Sequence, residues 1–136
     1  MVKLILPKVY SFKIIVSSIF TLSPPLFYGI FKKQYIFASI LGCILLSSIN
    51  YWKHPILGLR RNIDMTFVKI NVLYQHYTIY YYNLNFLHYY LLSGLGLLCY
   101  IISKKRNDFE YKCNFHILFH VFVCIANLNI IFNIPF

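Results

Sequence analysis

Of 136 residues, 60% are hydrophobic and only 12% charged. A soluble domain carries about a quarter charged residues, so most of this surface cannot face water, and lipid is its natural solvent. Thirteen Lys and Arg against three acidic residues give a net charge of +10, but the cations lie in short clusters between apolar runs. Topology signals are arranged that way and nucleic-acid patches are not, so the expected surroundings are a bilayer, with no nucleic-acid partner.

Spanning a bilayer as a helix takes ~20 apolar residues, because no water is present there to satisfy the backbone. Five stretches approach that length. The first runs from Val9 to Phe31, with Lys13 near its start and Pro24-Pro25 inside it. It reads as a kinked span, the alternative being a re-entrant or surface helix. The second, Tyr35 to Trp52, is short and clean. The third begins at Asp64 and runs to about Tyr82, and an Asn83-Leu84-Asn85 turn leads to the fourth, Phe86 to Ser103. The fifth covers Asn114 to Ile134. Lys8 and Lys13 interrupt the N-terminal apolar stretch and no small-residue cleavage site follows it, so a cleaved signal peptide is not expected.

The cations test this division. With five crossings, one side collects Lys3, Lys8, Lys13, Lys53, Arg60, Arg61, Lys104, Lys105, Arg106 and Lys112, and the other only Lys32 and Lys33. Lys69 lies within the third stretch, close enough to the basic side to snorkel there. Cytoplasmic loops carry such an excess of Lys and Arg. The expected fold is therefore all-α: a single multi-pass domain over residues 1–136, about five transmembrane helices, N-terminus cytosolic. Tyrosines crowd between Tyr74 and Tyr90, as in an interfacial aromatic belt.

Polar residues within spans are costly and normally face the bundle interior. Asp64, Asn71, Gln75, Thr78 and Tyr82 follow one helical stripe on the third stretch. Cys113, His116, His120 and Asn127 do so on the fifth, and Ser39, Cys43, Asn50 and His54 on the second, with Ser47 at the edge. Under this topology Asn50, His54, Asp64, His116 and His120 share one leaflet. The His116-x3-His120 pair presents two imidazoles on one helix face, which suits a transition metal such as zinc if a third ligand comes from His54, Asp64 or Cys113. The alternative is that these histidines bond neighbouring helices. Asp64 reads equally as a functional carboxylate and as a structural one, opening a helix where it favours the dipole and pairing with Arg60 or Arg61. Lys104-Lys105-Arg106 reads as a topology anchor in contact with anionic lipid. The four cysteines (Cys43, Cys99, Cys113 and Cys124) have no disulfide-framework or CxxC spacing.

Asn50-x3-His54, then Asp64, then His116-Ile-Leu-Phe-His120 resembles, in order, the pattern of the CREST superfamily of alkaline ceramidases and progestin/adipoQ-type receptors. There a serine and a histidine end one span, an aspartate opens the next and His-x3-His lies in the last. The resemblance implies a membrane bundle with zinc held by His54, His116 and His120. It also implies a metal-bound water positioned by Asp64 for attack on a lipid amide or ester. Asn50 stands where the family has serine, the family has seven spans, and a register on Ser48-x3-Trp52 carries no ligand. Two functions follow as expectations. One is a non-catalytic membrane component whose seams serve packing or membrane-protein partners. The other is a compact zinc-dependent membrane hydrolase acting on a lipid substrate.

Overall fold

The computed structural model describes residues 5–135, so Lys3 lies outside the described residues. All regular structure among them is helical: α1 (Lys8–Phe31), α2 (Tyr35–Lys53), α3 (Leu59–Tyr81), α4 (Leu87–Lys105) and α5 (Phe109–Asn133). The helix ends have local causes. Asp108 caps α5, its carboxylate accepting from the amides of Glu110 (2.8 Å) and Tyr111 (3.2 Å), so α5 starts five residues earlier than its apolar run. Helices α1 and α3 end alike. Lys33 and Asn83 adopt left-handed φ of 58° and 47°, and the following amides, Gln34 and Leu84, return to the Gly29 and Ile79 carbonyls at 2.8 and 3.0 Å. These are Schellman closures, and they make both connections on the weakly basic side tight. Helix α1 continues through Pro24 and Pro25.

The helices form an open ring in the order α3, α2, α1, α5, α4. Small residues allow the closest approaches: a methyl group on Gly29 would lie 3.5 Å from Ala38 Cβ, and one on Gly96 only 3.3 Å from Phe122 Cβ. A Gly96→Leu variant should therefore lose about 1–3 kcal/mol by overpacking α4 on α5. Gly94→Leu should be nearly silent, since nothing lies within 4 Å of a Cβ at Gly94. Thermal melting of the two variants in one detergent compares them.

Helices α1 and α5 run parallel, pairing Tyr10 with Cys113, Ser17 with His120 and Lys32 with Ile134 from one end to the other. The connections reverse direction each time. The starts of α1, α3 and α5 thus lie with the ends of α2 and α4, and this end carries Lys8, Lys13, Lys53, Arg60, Arg61, Lys104, Lys105, Arg106 and Lys112. Lys32 and Lys33 lie at the other end. A core of Leu22, Phe37, Leu41, Ile79, Ile130 and Ile131 fills the weakly basic half, and a smaller cluster of Leu6, Ile14, Tyr51, Trp52 and Cys113 sits at the basic end.

Three helices, α1, α2 and α5, are long and apolar enough to cross a membrane. Helix α3 carries Arg60, Arg61, Asp64 and Lys69, and α4 ends on Lys104 and Lys105. Yet α3 is inverted relative to a helix in water. Its buried residues are Asp64, Asn71, Gln75, Thr78 and Ile79, while Ile70, Leu73, Tyr77 and Tyr80 are exposed.

Candidate functional site

From Arg61, Lys104 and Lys112 at the basic end to His76 near the end of α3 and Tyr89 and Tyr90 at the start of α4, the ring holds a cavity of about 740 Å³, within the ~300–1,000 Å³ of small-molecule sites. Its walls come from all five helices and are mostly apolar. No α-carbon of α3 comes within 8 Å of one in α4, and the gap between them is spanned by side chains. Tyr89 Oη donates to Gln75 Oε1 at 2.6 Å, and Tyr100 Oη lies 4.0 Å from Met65 Sδ. Val72 of α3 and Leu97 of α4 both line the cavity and are 41% and 56% exposed. The cavity therefore opens sideways between these two helices.

Asp64 is on this wall and buried. Its Oδ1 accepts from Ser47 Oγ at 2.9 Å and Ser48 Oγ at 3.0 Å. The expected partners were Arg60 or Arg61, and the expected place was a helix start. Because α3 begins at Leu59, Asp64 lies beyond its first turn, on the inward stripe, and the hydroxyls of α2 meet it there. Arg60 is exposed, and Arg61 lines the cavity.

The rings of His116 and His120 meet edge to face, with centroids 4.8 Å apart. Trp52 packs on His116 at 4.9 Å, and Tyr100 and Phe119 complete an aromatic cage at 6.0 and 5.6 Å. His120 Nδ1 lies 2.8 Å from Ser17 Oγ, which in turn is 3.0 Å from the Ile14 carbonyl. A proton on Nδ1 satisfies both contacts, since the hydroxyl can then donate to the carbonyl.

The stripe expected to face inward on α2 faces outward. Ser39, Asn50 and His54 are exposed, whereas Phe37, Leu41, Ile44, Ser47, Ser48, Tyr51 and Trp52 are buried. The register Ser48-x3-Trp52 is thus the inward one, and His54 is the exposed C-terminal cap of α2. Among the described residues no three His, Cys, Asp or Glu side chains gather into a group that could hold a metal. A zinc site needs at least three protein ligands, so the residues as placed do not fit the zinc that the CREST resemblance implies.

Deeper in the bundle a polar network joins three helices. Asn127 Oδ1 accepts from Gln75 Nε2 and, at 3.5 Å, from Asn71 Nδ2, while Asn127 Nδ2 donates to the Val123 carbonyl at 2.8 Å. Tyr89 extends the chain to α4 through Gln75. Asn71, Gln75 and Asn127 were legible as seam residues. Tyr89 and Ser17 were not, because nothing in their spacing separates them from packing residues, and Ser48 and Trp52 entered only as a register without a metal ligand. Comparison with protein-family models, with curated protein sequences and with solved structures finds no match for this chain.

Proposed function

We propose that the chain is a five-crossing integral membrane protein with its cationic end in the cytosol. Its role is that of a non-catalytic membrane component built around a laterally open cavity. The observation that carries the reading is the inversion of α3, whose buried stripe is polar and whose exposed face is isoleucine, leucine and tyrosine. In water that arrangement loses twice, by exposing apolar area and burying amides; in lipid the outer face needs no cover and the inner groups bond one another. Two further facts support the crossing of α3 and α4. The described cations sit overwhelmingly at one end, and the aromatic belt of Tyr77, Tyr80, Tyr81, Tyr82 and Tyr90 gathers at the other. Lys69, exposed on α3, can direct its ammonium toward the cytosolic surface along its own stem.

A zinc hydrolase would require a third ligand beside His116 and His120, and His54 is turned outward. The two imidazoles instead do structural work, one in an aromatic cage and one tying α5 to α1.

Reporter fusions after Lys33, Gly58, Asn83 and Asn107 should alternate between the two sides of the membrane, with Gly58 and Asn107 cytosolic. Reporters after Gly58 and Asn83 on the same side would mean that α3 does not cross, and the proposal would fail.

A further inference from the structure

We infer that the cavity is a binding site for an anionic phospholipid of the cytosolic leaflet. Its headgroup would be held by Arg61, Lys104 and Lys112 and an acyl chain would lie in the slot between α3 and α4. The inference rests on the five-crossing reading above and adds to it an occupant.

Three observations converge. Arg61 at the start of α3, Lys104 at the end of α4 and Lys112 at the start of α5 all line the one cavity and all lie at the basic end. None of the three forms an ion pair with a carboxylate among the described residues. The acidic residue on the cavity wall, Asp64, is already engaged by two serine hydroxyls. Hydroxyl donors leave that carboxylate charged, so three cations face one anion and the mouth carries a net positive charge. A phosphate balances the excess, and basic pockets between membrane helices on the cytoplasmic side recognise such headgroups.

The second observation is the shape. The opening faces sideways, toward lipid, along Met65, Val68, Val72, Gly94 and Leu97. An acyl chain can enter there without leaving the bilayer, and a water-soluble phosphate would gain nothing from these walls. The third is depth. The cavity's lining runs from Arg61, Lys104 and Lys112 at the basic end to His76, Tyr89 and Tyr90 near the end of α3 and the start of α4, so the slot follows the helices far enough to take an extended acyl chain.

Trp52 is the chain's single tryptophan and lines this cavity, which gives a contact probe. The full-length protein is placed in phosphatidylcholine nanodiscs containing a minor fraction of phosphatidylglycerol brominated on one acyl chain, or the same fraction of brominated phosphatidylcholine. Bromine quenches tryptophan by contact. The brominated anionic lipid should quench Trp52 at a mole fraction roughly a hundredfold lower than the zwitterionic one, about fivefold for each of the three cations. Each of Arg61→Gln, Lys104→Gln and Lys112→Gln should erode that preference by about fivefold. A Lys104→Arg/Lys112→Arg variant, which keeps the charge, should retain it and so controls for folding. Equal quenching by both lipids would overturn the proposal. A preference that survives the triple glutamine variant would also overturn it, by placing the anionic lipid elsewhere. Release of the protein from membranes by alkaline carbonate would instead remove the five-crossing reading beneath it.

Discussion

Replacing Ser47 and Ser48 together by alanine should destabilise the bundle by about 3 kcal/mol, while either single replacement should cost well under half of that. Both hydroxyls donate to the same Asp64 oxygen, at 2.9 and 3.0 Å. One donor left in place still satisfies that oxygen, so the first loss is cushioned and the second is not. A hydrogen bond to a charged group contributes about 1.5–3 kcal/mol, and a buried acceptor stripped of its donors costs its desolvation as well. The same logic predicts rescue. Replacing both sides of a polar contact by apolar groups is far less costly than replacing one, so adding Asp64→Leu to the double alanine variant should recover much of the loss. Unfolding of the four variants, followed by Trp52 fluorescence in one detergent, checks both parts. A double alanine variant that melts with the parent would show that Asp64 does not depend on these serines.

Asn127→Leu should have the second large effect, about 1–3 kcal/mol, and it should be local. Asn127 Oδ1 receives both Gln75 and Asn71, so one substitution strands two amides of α3. Interhelical hydrogen bonds inside membranes contribute roughly 0.6–2 kcal/mol each. Helix α3 is poorly placed to absorb the loss, because its backbone approaches α5 at few points and α4 at none. Hydrogen exchange should accelerate in α3 from about Asn71 onward and leave the α1–α2 hairpin, which packs through Gly29 and Gly42, nearly unchanged. Uniform acceleration, or none, would mean that the network does not anchor α3.

The sequence made the seams of α3 and α5 legible for a physical reason. Asp64, Asn71, Gln75 and Asn127 are so costly in lipid that a stripe of them can only face inward. On α2 the same logic misassigned the face. Ser39 and Cys43 are small and weakly polar and do not force a direction, while the inward stripe is decided by Phe37, Leu41 and Trp52, whose bulk fills the core. His54 was read with the wrong face for the same reason and is the exposed cap of α2. Asp64 was placed correctly as buried, but its partners were sought at local spacing, in Arg60 and Arg61. They came from the preceding helix, and no single-helix periodicity reports a contact across helices. The sideways opening was invisible for a related reason: which helices fail to touch is a property of the ring, not of any one segment.

The parallel pairing of α1 and α5 has a consequence for biosynthesis. Ser17 and His120, and likewise Lys32 and the Ile134 carbonyl, are about a hundred residues apart in the chain. At ~5–20 residues per second of synthesis, a gap of that length is roughly 5–20 s. For that interval α1 has only α2 beside it, its other flank bare of α5. The ring can close only when α5 arrives to take the seat next to α1. A nascent chain halted in the α4–α5 loop would therefore hold an open, lipid-exposed groove along α1. On the membrane-protein reading proposed above, that intermediate is the form in which quality control would meet this protein.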